Sequence, residues 1–228
     1  MVKLFSLRAR GCAIGLGVIL AARLVAGAGE IVLQPYHGPV VKGVDTSMLK
    51  GKVMCGYQGW FGAPGDGSLD SGWRHWAKWH HEFIDGNATV DLWPDVSELM
   101  PAERFPTGFK LANGRTAEVF SSYKKPTVLR HFRWMRGYGI DGVFVQRFAV
   151  SLQSRQDADY CNTVLANCRE GANCYGRAYA VMYDLSGIQS GHMVEVMNDW
   201  RELRTRRPRQ GWPLPSIDGS SAKQSVPW

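Results

Sequence analysis

The chain has 228 residues, of which 45% are hydrophobic and 11% aromatic, and this composition excludes a disordered, collagen-like or low-complexity protein. Its formal net charge of +7 is concentrated at the two ends. The first 28 residues carry four basic and no acidic side chains, and residues 201–228 carry six basic and two acidic ones, which leaves −1 for residues 29–200. Such a nearly neutral central region gives little support for nucleic-acid binding.

The amino-terminal segment, residues 1–28, has the order of a secretory signal peptide. Three basic residues come first, an apolar stretch follows, and Ala26-Gly27-Ala28 supplies a cleavage site of small residues. The longest uncharged run has 12 residues, fewer than the roughly 20 needed to span a bilayer. We therefore expect a secreted or periplasmic protein with no stable membrane span after cleavage; an uncleaved anchor helix is the alternative.

Residues 29–203 form the predicted domain, in which short apolar runs alternate with helical stretches. This pattern predicts βα units and a largely parallel sheet. The predicted strands, the last two with weaker patterns, are Val53–Trp60, Gly142–Phe148, Ala178–Tyr183, Ala88–Trp93 and Ala117–Phe120. Helices are predicted after Pro126, over Asp157–Cys168 and over His192–Leu203, with Gly139 and Gly171 as stop signals.

This pattern contains four or five strand-helix units. A closed (β/α)₈ barrel needs eight and typically has ~250 residues. The domain is therefore either an open α/β sheet or the front half of a barrel, and the pattern alone does not choose.

Residues 204–228 differ from the domain, because they contain four prolines and have no apolar periodicity. This composition predicts a disordered, basic, proline-rich tail, which is either a linker or the product of a frameshifted or prematurely ended reading frame.

Among the cysteines, Cys168 and Cys174 are the plausible disulfide pair if the helix breaks at Gly171, and Cys55 is expected to be a buried free thiol.

Polar and aromatic residues gather where the predicted parallel strands end, and in such folds the carboxyl ends of the strands build the site. The candidates for substrate binding are Tyr57, Trp60, Asp66, Trp93, Gln146, Arg147 and Asp184. Tryptophan faces stack on sugar rings while carboxylates, amides and guanidinium groups bind hydroxyls, so the mixture suits a carbohydrate cleft.

Asp184 and three further tryptophans have a simpler structural interpretation that weighs about equally. Trp73, Trp76 and Trp79 are three residues apart, which also describes one buried helical stripe. Asp184 is a weak catalytic candidate, and it is equally well placed to cap the next helix. No zinc spacing and no phosphate-binding loop occurs, so we expect no metal and no cofactor.

Four ordered motifs carry a resemblance to a known group: YQGWF (57–61), DLWPD (91–95), GIDGVFVQRF (139–148) and YDLSG (183–187). Together they resemble secreted bacterial proteins of the glycoside hydrolase 71/99-like group, often labelled xylosidase/arabinosidase, over roughly residues 50–200. The resemblance implies a (β/α)₈ barrel of the TIM type with a polysaccharide cleft at its carboxyl face. Relatives in family 99 act within α-mannosides, and those in family 71 cleave α-1,3-glucan.

The resemblance also implies catalysis by carboxylates, one as a general acid and one assisting attack. The ExxE arrangement of family 99 does not occur after Tyr183 in this sequence, so no catalytic glutamate is carried over. We therefore expect a truncated glycoside hydrolase-like protein, the front half of a barrel, that lacks the later catalytic glutamates and activity. The alternatives are a non-catalytic carbohydrate-binding protein and, with less support, a basic-tailed nucleic-acid binder.

Overall fold

The computed structural model describes residues 36–205, so the predicted signal peptide and nearly all of the predicted tail lie outside the described residues. The strands are β1 (Met54–Tyr57), β2 (Arg104–Lys110), β3 (Thr116–Phe120), β4 (Gly142–Phe148) and β5 (Ala178–Asp184). The α-helices are α1 (Lys125–Gly137), α2 (Arg155–Tyr175) and α3 (Met193–Thr205). Within this range no helix is long and apolar enough to cross a bilayer.

The main sheet consists of three parallel strands in the order β1-β4-β5. Each of these strands precedes one of the three helices along the chain, which confirms a mixed α/β fold with a parallel sheet. The three strong strand predictions are confirmed, although β1 is shorter than predicted. The described residues contain three strand-helix units, and the prediction of four or five is therefore wrong for this part of the chain.

The two weaker strand predictions account for this difference. Residues 88–93 form no strand, and only Ala88 makes an isolated bridge, to Ala77. The segment around Ala117 is a strand, but it pairs antiparallel with β2 in a separate two-stranded sheet. β2 was not predicted because its sequence contains Pro106 and Gly108, which argue against a strand in the middle of a sheet.

Two apolar clusters hold these elements together. The first lies between the parallel sheet and the helices α1 and α2, and it includes Val128, Phe132, Val143 and Val164. The second joins the β2–β3 hairpin to the long segment between β1 and β2. Its members, buried and partly buried together, are Phe61, Ala63, Trp73, Trp76, Ala77, Phe83, Ala88, Val90, Trp93, Phe105, Phe109, Val119 and Phe120.

Helix α2 continues through Gly171, and the predicted break there is wrong. A Cβ at Gly171 would lie 2.6 Å from the ring of Phe132 on α1, so this glycine allows the two helices to approach closely. The helix ends at Gly176, which adopts the left-handed conformation at φ 61°.

Cys168 and Cys174 consequently lie on one helix, about 9 Å apart along its axis, which is too far for a disulfide. The four cysteines of the described region are free thiols, and the disulfide prediction is wrong. Cys55 is partly buried against the first cluster, close to what was expected.

Candidate functional site

Strand alternation divides the candidate residues between the two faces of the parallel sheet. Gln146 and Phe148 of β4 lie on one face, and the register places Asp184 of β5 beside Phe148 on that same face. Arg147 and its register partner Tyr183 lie on the opposite face, towards the helices. We call the face that carries Gln146 and Phe148 the open face, because an added Cβ at Gly56 of β1, on the same face, would meet nothing within 4 Å.

Three aromatic rings lie together at the carboxyl end of this open face. The ring of Trp60, three residues beyond the end of β1, stacks on His75 at 4.7 Å and on Phe148 at 5.0 Å. The interplanar angles of these pairs are 19° and 15°, and His75 and Phe148 are within 5° of parallel. The three rings are partly exposed and nearly parallel, and at these centroid distances Trp60 is stacked against the other two rings, so they form a compact aromatic cluster.

A polar pair adjoins these rings. Gln146 Nε2 donates to Asp184 Oδ2 at 2.6 Å, and the backbone N–H of Ser186 donates to Asp184 Oδ1 at 2.8 Å. Hydrogen bonds from Ser186, and then from Gln146, lower the pKa of Asp184. At neutral pH this side chain is a carboxylate that accepts hydrogen bonds. Asp184 does not cap α3, which begins nine residues later at Met193, so that interpretation is wrong.

We refer to Trp60, His75, Gln146, Phe148 and Asp184 as the carboxyl-edge surface. A small cavity lies behind Trp60, Gln146 and Phe148, with a volume of about 20 Å³. This is room for about one water molecule, so a larger ligand would have to lie on the surface itself.

Arg147 is placed behind this surface. Its side chain is 3% exposed, and its guanidinium group donates to both oxygens of Asp199 on α3, at 2.6 and 2.9 Å, and to Asn162 Oδ1 at 2.6 Å. Tyr183 Oη donates to the same carboxylate. Burial alone would lower the pKa of Arg147, but Asp199 raises it above the ordinary value. Arg147 thus fixes α3 against the end of the sheet.

Tyr57 and Asp66 also lie away from the open face. Tyr57 packs in the first cluster, and its hydroxyl is 2.9 Å from His131 Nδ1. Burial raises the pKa of Tyr57 and lowers that of His131 to about 4. Asp66 is 2% exposed and accepts hydrogen bonds from Ser121 Oγ and from the backbone of Ala63 and Ser68, so it shapes its own loop.

Trp93 belongs to the second cluster. Its ring stacks on Phe83 at 5.6 Å, and its Nε1 donates to the carbonyl oxygen of Glu118 on β3. Of the three tryptophans with helical spacing, Trp76 is 2% exposed and Trp73 is partly buried, whereas Trp79 is 86% exposed. The structure therefore brings together Trp60, Gln146 and Asp184 from the predicted set, and it separates Tyr57, Asp66, Arg147 and Trp93 from them.

His75 and Phe148 are the members of the carboxyl-edge surface that are not among the candidates for substrate binding selected from sequence. The φ of His75, 55°, lies in the left-handed region, which is uncommon for a residue with a side chain. The available signal was its place between two tryptophans in the motif GWRHW. Within residues 36–205 no group of three or more His, Cys, Asp and Glu side chains is arranged to hold a metal ion.

No protein-family model matches the sequence, and no curated protein matches it. Among solved structures, the chain has a likeness to the glycoside hydrolase family 99 endo-α-mannosidase from Bacteroides thetaiotaomicron, with a TM-score of 0.37 and 18% identity. The likeness covers 66% of this chain and 39% of that one, so the chain spans about two fifths of the length of the solved protein. A likeness of this size carries no argument about function.

Proposed function

We propose that the protein binds a polysaccharide on its carboxyl-edge surface. The observation that carries this proposal is the partly exposed, stacked aromatic cluster of Trp60, His75 and Phe148 beside the hydrogen-bonded pair of Gln146 and Asp184. Flat aromatic rings offer an apolar face to the C–H groups of a sugar ring, and the polar pair offers partners for its hydroxyls.

Each polar group has a role that its chemistry allows. Asp184 already accepts hydrogen bonds from Gln146 and Ser186, and a carboxylate has further lone pairs with which to accept from sugar hydroxyls. The carbonyl oxygen of the Gln146 amide is a second acceptor. Because the ligand would lie on an open face, it need not be a single small sugar, and a chain can pass across it.

Hydrolysis has less support than binding. Glycosidases use a protonated carboxyl group as the general acid and a second carboxylate nearby. Among the described residues that end the parallel strands, Asp184 is the one carboxylate, and its lowered pKa is the opposite of what a general acid requires. The motif resemblance supports a glycan ligand, and we extend the proposal to a secreted or periplasmic protein related to (β/α)₈ glycoside hydrolases.

Affinity electrophoresis of the full chain tests this proposal. The protein is run in gels that contain α-mannan, α-1,3-glucan, xylan or arabinan, and in gels without polysaccharide. At least one polymer should retard the protein. Trp60→Ala should lower the affinity for that polymer about tenfold, because it removes the ring on which the other two aromatic side chains stack.

Tyr138→Ala is the matched control. Tyr138 is an aromatic residue, 82% exposed, that follows α1 and precedes β4, so it lies at the amino-terminal end of the sheet. This variant should be retarded like the parent chain. Absence of retardation by all four polymers, or equal loss in both variants, would refute the proposal. Release of reducing ends from the retained polymer would favour hydrolysis over binding alone.

A further inference from the structure

Trp79 is exposed to a degree that is unusual for its residue type. Its side chain is 86% exposed, whereas Trp73 and Trp76 of the same segment pack into the second cluster. Its φ of 56° lies in the left-handed region. That conformation is a genuine outlier for a bulky residue and destabilises the folded state. Neither the exposure nor the backbone conformation of Trp79 serves the core.

The surrounding backbone holds Trp79 in this position. The N–H of Lys78 donates to the carbonyl oxygen of Asn87 at 2.9 Å, and Lys78 Nζ donates to that of Gly86 at 3.1 Å. Asn87 Nδ2 donates to the carbonyl oxygen of Glu82 at 2.7 Å. These bonds close a turn on both sides of Trp79. Strained residues persist where the neighbouring structure determines them, and such residues concentrate at functional sites.

The same segment carries His75 of the carboxyl-edge surface. His75 and Trp79 are four residues apart, so their Cα atoms are at most about 15 Å apart. Both have left-handed backbone conformations, whereas Trp76 between them is buried. The main chain at this point is fastened by Thr89, whose N–H donates to the carbonyl oxygen of Trp76 and whose hydroxyl donates to that of His75.

We propose that Trp79 is a second saccharide contact, which a polymer reaches when one of its segments already lies on the carboxyl-edge surface. The inference rests on the proposed function and specifies its ligand. The protein should distinguish an extended chain from a short oligosaccharide, because only the chain spans both places. Linking two contacts in one ligand raises its affinity without altering either contact.

The test compares Trp79→Ala with the parent chain on two probes. One is the polysaccharide that retards the full chain most strongly, and the other is the disaccharide of the same linkage, used as a competitor. Trp79→Ala should bind the polymer about tenfold more weakly and leave the inhibition constant of the disaccharide within twofold. Trp60→Ala should weaken both, and Tyr138→Ala neither.

The outcomes separate the two proposals. If Trp79→Ala binds the polymer as tightly as the parent chain, or loses polymer and disaccharide affinity equally, the second contact is refuted while the carboxyl-edge surface stands. If the parent chain binds neither probe, the proposed function fails, and the second contact fails with it. Trp79→Phe should retain most of the polymer affinity, since an aromatic face is preserved, and an affinity as low as that of the alanine variant would contradict stacking.

Discussion

The ion pair between Arg147 and Asp199 provides the strongest prediction of stability. Asp199→Ala removes the carboxylate that accepts two hydrogen bonds from the Arg147 guanidinium, at 2.6 and 2.9 Å, and one from the Tyr183 hydroxyl. Arg147 is 3% exposed, so water cannot replace the lost partner without rearrangement. Within the described region, the variant leaves a buried positive charge whose remaining side-chain acceptor is the amide oxygen of Asn162.

Breaking a buried pair in this way costs about 3–5 kcal/mol of unfolding free energy. For a domain of this size each kcal/mol lowers Tm by about 2–4 °C, so the expected decrease is roughly 6–20 °C. Urea denaturation followed by far-ultraviolet circular dichroism measures the free energy, and calorimetry measures Tm. Arg201→Ala on the same helix is the control, because Arg201 is exposed and donates to Asn198 Oδ1 at the surface. It should change stability by less than about 0.5 kcal/mol.

A double variant distinguishes an unpaired charge from a loss of packing. Arg147→Met combined with Asp199→Leu removes both charges, and such apolar replacements of buried pairs are often neutral or stabilising. It should therefore recover at least half of the stability that Asp199→Ala loses. A loss below about 1 kcal/mol in Asp199→Ala, or a double variant less stable than the single one, would refute the role assigned to the pair.

Four further predictions concern other parts of the described region. Burial lowers the pKa of His131 to about 4 from an unfolded value near 6.5, so between these pH values the unfolded chain binds more protons than the folded one. The unfolding free energy should therefore fall by about 2 kcal/mol from pH 7 to pH 4.5. Urea titrations of His131→Gln should lack this part of the pH dependence. Trp79→Gly should raise the unfolding free energy by about 1 kcal/mol over Trp79→Ala, because glycine adopts positive φ freely, and equal stabilities would contradict the backbone strain. Gly171→Ala should lower it by about 1–3 kcal/mol through a clash with Phe132, and a neutral effect would argue against the close approach of α1 and α2. Burial raises the pKa of the Cys168 thiol, so it should react with a thiol reagent only after unfolding, and rapid labelling of the native chain would count against its burial.

The parts of the fold that sequence predicted are those with strong local signals. The strands β4 and β5 contain apolar runs at residues 143–145 and 178–182, and α1 has Pro126 in its first turn. β3 was predicted, but β2 and its antiparallel pairing with β3 were not. Pro106 argues against β2 as a strand, and the hairpin packs in the second cluster against residues distant in sequence. Gly171 was wrongly predicted to end a helix, because sequence alone does not distinguish a glycine that permits close helix packing from one that terminates a helix.

The candidate site was predicted in part for a comparable reason. The ends of β4 and β5 were located to within one residue, but which face a side chain occupies depends on a register of one residue. Gln146 and Arg147 are adjacent in sequence, yet the first faces the open side and the second faces the helices. His75 could not be assigned from sequence, because its place beside Trp60 depends on the path of a long segment.

Hydroxyl-radical footprinting of the full chain, with and without the polysaccharide that it binds, tests the saccharide surface most directly. Oxidation of Trp60 and Phe148 should decrease several-fold in the presence of the polymer. Oxidation of the exposed Tyr138, at the other end of the sheet, should stay unchanged. Protection confined to Tyr138, or the absence of protection at Trp60 and Phe148 under saturating polymer, would contradict the assignment of the carboxyl-edge surface.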